Sequence, residues 1–529
     1  MAHAQNVNIP DAIFKAALVN NPSINTNRDG EIQITEAAAY TSEITVSNMG
    51  IGDMTGIEAF TAITRINCPY NSLTSLNVST NLGISSLICY GNQLTSLILP
   101  ESLILQDLQC EENQLTSLDV SANTNLGNLS CSFNQLTSLD VSANTNLGSL
   151  FCDNNQLTSL DVSANTALSI LGCGYNQLTS LDVSANKFLY RLYCYYNQLT
   201  SLDVSANTAL YDLICSNNPL TSLDVSANTN LGILSCDYNQ LTSLNVSSNT
   251  ALFYLFCRSN QLTSLDVSAN TALFWLYCEN NQLTSLDVSA NTFLDTLYCS
   301  NNQLTSLDVY ANEALDVLNC ENNFLTSLDF NRNLGGLNCS NNQITSLNLS
   351  ENIYLYGLSC GSNQITSLNL SENINLLWLS CQNNQLTSLN VQSGFNRNIN
   401  SDDFNATNNP NLTCIQVDNV RYSNSNWSAG KDVTASFSRN CGVLSVPDIG
   451  NLATVQIFPN PANDYVSING FNNIQKIELI NMKGQLIETI LVNGNSSLIN
   501  VSSIANGIYL LKLSSSNQSQ IKKLVVEHK

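Results

Sequence analysis

The chain has 529 residues, 43% of them hydrophobic and 11% charged, and its 40 acids outnumber 17 Lys and Arg for a formal net charge of −23. That surface repels nucleic acid and anionic lipid, while so low a charged fraction excludes a charge-rich disordered chain. The two histidines, His3 and His528, stand at opposite ends, which argues against a histidine triad or a histidine-rich metal centre, and no run of about 18 apolar residues marks a transmembrane helix.

Residues 1–62 read as an N-terminal cap. Ala2-His3-Ala4 before Gln5 has the small-x-small form of a signal-peptidase site, so an exported protein with a shortened leader is expected. "IPDAIFKAALVNN" puts Pro10 at a helix start, followed by apolar residues at helical spacing. Next, "NTNRDGEIQITE" resembles an EF-hand-type calcium loop. Asn25, Asn27 and Asp29 take its first, third and fifth positions, Gly30 the turn, Glu31 the backbone-carbonyl position and Glu36 the last. Asn25 stands where Asp is usual, so only Asp29 and Glu36 bring charge. The resemblance implies calcium as a weakly held cofactor; the alternative is a plain Asp-Gly turn.

Residues 63–391 repeat. From Cys68 to Cys320 every cysteine lies 21 residues from the last; one step of 19 reaches Cys339, and two of 21 reach Cys360 and Cys381. A fixed period of this size signals a solenoid whose coils bury their apolar edges against one another. One coil runs Leu126-x-x-Leu129-x-Cys131-x-x-Asn134-x-Leu136-x-x-Leu139-x-Val141-x-x-Asn144. Leu-x-Cys and Leu-x-Val each put two apolar side chains on one face of a short strand, so two parallel sheets are expected, with coils about 4.8 Å apart. Asn134 and Asn144 fall at the bends, where an amide can satisfy backbone groups. The first half-coil resembles the leucine-rich repeat, with Cys in the third apolar slot, and the whole is similar to its 21-residue bacterial subclass.

Two ladders invite chemistry. One thiol per coil with parallel Cβ vectors suits neither zinc nor disulfide geometry, so the cysteines read as small buried apolar residues. Asp119, Asp140 and their equivalents through Asp329 should form an outward row, interrupted by Asn77, Asn245, Asn348, Asn369 and Asn390. Local hydrogen bonding to the neighbouring Ser and Thr is the expected offset to their repulsion, and bridging by divalent cations the alternative.

What varies is the outward side of the Leu-x-Cys strand. Aromatic residues concentrate on or beside that strip, and Tyr193, Phe256, Tyr277 and Tyr298 with the flanking Tyr195 and Trp275 are the candidate ligand-binding face. Such side chains on a rigid frame are the vocabulary of recognition surfaces; covering the sheet and packing on one another is the alternative.

Residues 392–441 read as a C-terminal cap. Cys414 and Cys441 fall off the period and bracket it, which in an exported protein suggests a disulfide. Residues 442–454 read as a linker, and 455–529 as alternating strands with turns, a small β-sandwich. Phe458-Pro459-Asn460-Pro461, Gly484-Gln485, Gly507-Ile508-Tyr509 and Lys522-Lys523 closely resemble the C-terminal sorting domain of the type IX secretion system. The resemblance implies that secretion machinery as a partner, passage across the outer membrane and an address at the outer cell surface. The expected architecture is mainly β: a leucine-rich-repeat solenoid with two parallel sheets, a small helical N-terminal cap and a C-terminal β-sandwich sorting domain. The expected role is adhesion or recognition of a protein or glycan rather than catalysis, with a passive surface rod as the alternative.

Overall fold

The structure is a computed structural model that describes residues 5–441, 456–469, 475–482, 484–492, 496–514 and 519–528. The chain divides into two compact units, 1–441 and 442–529. The small-x-small residues 2–4 and the linker 442–454 lie outside the described residues.

The first unit is a mainly β solenoid. Each Leu-x-Cys segment forms a three-residue strand, such as Asn128–Ser130, Ser149–Phe151 and Ile170–Gly172. These pair in parallel and in register, Leu129 on Leu150 on Leu171. Sixteen such strands, with Glu43–Thr45 before them and the two-residue Phe404–Asn405 after, make one sheet of eighteen. The inward Leu and the following Cys are buried in every coil, so a shift of one residue would expose the apolar set.

The bends carry the stack. Asn134 Nδ2 donates to the carbonyls of Cys110 and Cys131, and its Oδ1 accepts the Leu115 N–H at 2.9 Å. Each such amide therefore joins its own coil to the one before. At the second bend, Asn144 Nδ2 donates to the carbonyls of Val120 and Asn123, again in the previous coil.

The second face is less regular than the first. It pairs as sheet over Ser75–Asn77 with Ser96–Ile98, over Asp308–Val309 with Asp329–Phe330, and from Ser367–Asn369 through Ser388–Asn390 and Cys414–Gln416 to Ser436–Ser438. Within and between these stretches the chain makes Asx turns: Asp140 Oδ1 accepts the Ser142 N–H, and the contact recurs from Asp119 to Asp308. The side chain thus takes a backbone donor at the end of each strand and turns the chain there. Asn245 and Asn369 accept the same N–H two residues on, which is why Asn interrupts the Asp row without breaking the coil.

The caps continue the stack beyond the written repeat. Helix α1 (Ala12–Val19) is capped by Asp11, which accepts the Ile13 and Phe14 N–H groups, so Pro10 lies one residue outside the cap rather than at the helix start. Helix α2 (Ile34–Ala39) begins on a capping box between Gln33 and Glu36. After Val391, Phe404, Ala406 and Asn409 stand in for Leu, Cys and the bend Asn. Asn409 Nδ2 donates to the Cys381 and Ala406 carbonyls, and its Oδ1 accepts the Leu386 N–H. Helix α3 (Val420–Asn426) leads to the buried Trp427, stacked on Phe404 with centroids 4.3 Å apart.

In the second unit, Gln456–Phe458, Tyr465–Asn469 and Ser496–Asn500 form one antiparallel sheet. Leu486–Leu491, Lys476–Asn481, Gly507–Ser514 and Ser519–Val526 form another. Val466, Ile468, Leu479, Leu511 and Leu524 share one core. Asn460 of the Phe-Pro-Asn-Pro stretch accepts the Val525 N–H and donates to the Lys523 carbonyl.

Two outcomes follow from the ladders. Replacing Asn197 by Ala orphans the Leu178 N–H and leaves the Cys173 carbonyl with Asn176 Nδ2 alone, so a loss of about 2 kcal/mol is expected; the denaturant midpoint measures it, with exposed Gln198→Ala as the near-neutral control. All sixteen ladder cysteines are free and buried, so a thiol reagent at neutral pH should find them only after unfolding. Burial pushes Cys68 from 9.0 up to about 12, and Cys110 also well above its ordinary value. The folded state then holds the thiol proton more tightly than the unfolded chain. Stability is full below pH 9.0 and is lost as pH rises from there towards about 12; guanidinium midpoints at neutral and alkaline pH check the sign.

Candidate functional site

The outward side of the eighteen-stranded sheet is built in columns. Within one strand, residues two apart share a face, so Trp275, Tyr277 and Glu279 point outward together while Leu276 and Cys278 are buried. The parallel register repeats that arrangement in the next strand: Tyr254 sits beside Trp275, Phe256 beside Tyr277 and Tyr277 beside Tyr298.

All six candidate residues lie on this face, half-buried, but they form two groups. Phe256, Trp275, Tyr277 and Tyr298 come together. Tyr277 stacks on Tyr298 at 4.6 Å, Phe256 meets Tyr277 edge-on at 5.1 Å, and Trp275 lies 4.7 Å from Tyr254. Phe253 stacks on Phe274 at 5.1 Å beside them. Tyr193 and Tyr195 stand apart, separated from Phe256 by the strands Asp212–Ile214 and Ile233–Ser235. Tyr193 donates to Asp212 Oδ2 at 2.8 Å, and Tyr195 meets Tyr175 edge-on at 5.4 Å.

Backbone geometry singles out the outer tyrosines. Tyr175, Tyr196 and Tyr238 occupy the left-handed turn of their coils at φ 49°, 50° and 53°, where Asn154, Asn217, Asn280 and Asn301 serve elsewhere. A residue without the local hydrogen bonding of Asn is held there at a cost of about 1–2 kcal/mol. The stacking of Tyr175 on Tyr196 at 4.3 Å offsets part of that cost; large exposed rings at this position are not what the coil itself requires.

Carboxylates border the rings, and no motif in the sequence marked them. Asp237 is 4% and Glu279 8% exposed. Arg258 lies between them, Nε 3.0 Å from Asp237 and Nη1 3.7 Å from Glu279, with its guanidinium over Tyr238. Burial pushes Asp237 up to about 6 against the pull of Arg258, and raises Glu279 and Asp212 as well. Glu279 Oε2, Asp212 Oδ1 and Trp275 Nε1 are buried and have no hydrogen-bond partner. The signal in the sequence was positional: Glu279 lies two residues beyond outward Tyr277.

The calcium-loop candidates are close in space, yet mostly bonded to one another. Asp29 accepts from the Glu31 N–H, Gln33 Nε2 and Asn27 Nδ2, and Glu36 from the N–H groups of Thr26, Asn27 and Gln33. The Glu31 side chain instead pairs with Lys15 at 2.7 Å. Asn25 is buried, donates to the Val19 carbonyl and leaves Oδ1 unpartnered. Among the described residues no three His, Cys, Asp or Glu side chains converge as a metal cluster. Cys414 and Cys441 are joined by a disulfide that ties the last coil to the end of the cap. A depression of about 770 Å³ on the opposite face, at the shortened coil, is lined by Asp308, Tyr310, Asp329 and Arg332. Asn331 and Asn333 there bond backbone groups of the coil before and each other, as a seam would.

Residues 456–527 match the family described as the secretion system C-terminal sorting domain. No curated protein matches the sequence. Among solved structures, the functional domain of InlJ from Listeria monocytogenes, described as including a cysteine ladder, is 28% identical with a TM-score of 0.57, the match covering 99% of this chain and all of that one. YopM from Yersinia enterocolitica is 24% identical with a TM-score of 0.53, over 71% of this chain and 78% of its own, and shows the fold alone. No helix among the described residues is long and apolar enough to cross a membrane. The chain is a leucine-rich-repeat solenoid with a cysteine ladder, followed by a type IX secretion-system sorting domain that directs it to the cell surface.

Proposed function

We propose that this surface solenoid recognises a protein or glycan ligand through the aromatic face of its continuous sheet, and that its action is adhesion or recognition rather than catalysis. The observation that carries this reading is the contiguous run of rings from Tyr254 to Tyr298, held in register on a rigid sheet. Rings clustered on one face of a frame supply contact area at low entropic cost, and the strained outer tyrosines add area the coil does not need. Catalysis has little to draw on: the ladder thiols are buried and held protonated, and both histidines stand at the chain ends.

Alanine at Tyr193, Phe256, Tyr277 and Tyr298 together should weaken binding on a glycan and extracellular-matrix array by roughly tenfold or more, with the denaturant midpoint as a fold control. Binding unchanged in that variant would favour the passive rod.

A second reading concerns the cap, where calcium would serve structure. The unpartnered buried Oδ1 of Asn25 is the kind of oxygen a cation takes. Asn25, Asn27, Asp29 and Glu36 would hold it by side-chain oxygens and Glu31 by its carbonyl. Two carboxylates, already engaged by N–H groups, imply weak binding. Calorimetry should give heat at millimolar calcium with the wild-type chain and none with Asp29→Ala; no heat from the wild type would end this reading.

A further inference from the structure

We propose that the ring platform from Tyr254 to Tyr298, with its carboxylate border, is a docking site for a lysine- or arginine-rich segment of a partner protein. This deepens the ligand-binding reading and rests on it.

Charge makes the selection. Around Tyr254, Phe256, Trp275, Tyr277 and Tyr298 lie the carboxylates of Asp237, Glu279, Asp295 and Asp316. Glu279 and Asp295 both act on the Tyr277 hydroxyl, and Asp295 and Asp316 on that of Tyr356. Arg258 is the one base among these groups, and it is held by Asp237 and Glu279. The platform is therefore net acidic, inside a chain of formal charge −23. An anionic glycan, nucleic acid or phosphorylated segment would be repelled here, and a neutral glycan could donate hydrogen bonds to the border but would not be drawn to it by charge.

A cationic side chain uses both features. Ring faces attract ammonium and guanidinium groups, more strongly where water is excluded, and the aliphatic stems of Lys and Arg cover aromatic surface. Glu279 supplies the observation that the border is more than an exposed acidic cluster. Glu279 is 8% exposed, Arg258 stands 3.7 Å from its Oε1, and among the described residues Oε2 has no partner. Such an oxygen is costly to leave unbonded, and it lies two residues from Tyr277 on the same outward side. Trp275, the ring type that holds a cation best, stands on the same side.

The test uses the full chain with fluorescein-labelled octalysine and octaarginine, read by anisotropy at low and moderate salt. Salt-sensitive binding is expected, weakened roughly fivefold or more by Glu279→Gln, by Asp295→Asn and by Trp275→Phe. Asp140→Asn and Asp161→Asn remove the same charge on the opposite face and should leave it unchanged. Denaturant midpoints close to wild type confirm that each variant is folded. Equal weakening by the opposite-face variants would mean bulk attraction to an acidic protein and would overturn the proposal. So would capture of neutral maltohexaose or chitohexaose, lost in Trp275→Phe, with no peptide binding, although ligand recognition by the strip would then stand. Failure of the strip itself is read separately, by the four-alanine variant on the array.

Discussion

The asparagine at the first bend is the contact on which the rest of the solenoid depends. Its amide donates to one carbonyl of its own coil and one of the coil before, and its oxygen accepts an N–H from that earlier coil. A coil cannot drift in register without breaking bonds on both sides of the bend, all of them buried. Because each coil is both the one fastened and the one that fastens, the sequence around the bend cannot vary independently from coil to coil. Variation falls at outward positions of the short strands and at the residues that flank them, and the rings and carboxylates gather there.

The two faces put the same residue type to opposite use. On the Asx-turn face, Asp140 is exposed and the Ser142 hydroxyl and N–H hold its carboxyl below the usual range. On the ring face, burial at the border of the aromatic platform pushes Asp237 up to about 6 despite Arg258. The first carboxylate is an internal splint that Asn can replace, as Asn245 does. Burial disfavours the charge of the second and Arg258 favours it, and an amide could not pair with Arg258 as it does. A row of acids on a repeat protein therefore says little until the direction of each side chain is known.

An exported protein with sixteen reduced thiols needs a reason for them to stay reduced. Each lies fully inside the tube, where a thiolate is strongly disfavoured, and the thiolate is the form that reacts. The one disulfide sits off the period, where Cys414 and Cys441 fasten the cap. Redox chemistry and packing are thus kept apart by position within one chain.

The repeat was legible from the sequence because its constraint is periodic: a 21-residue spacing of Cys, Leu and Asn leaves few ways to bury an edge. The sorting unit was legible from its Phe-Pro-Asn-Pro and Gly-Ile-Tyr stretches. The outward placement of Phe256, Trp275, Tyr277 and Tyr298 followed from two-residue alternation alone. Three things did not. The second face pairs as sheet only in short stretches, although the Asx contact runs through paired and unpaired coils alike, as at Asp308 and Asp140. The stack runs past Val391, because Phe404, Ala406 and Asn409 fill Leu, Cys and Asn sites at irregular spacing. Glu279 and Asp237 joined the aromatic face only once neighbouring coils were in register, since what buries a carboxylate and decides its partners is the side chains that other coils bring beside it.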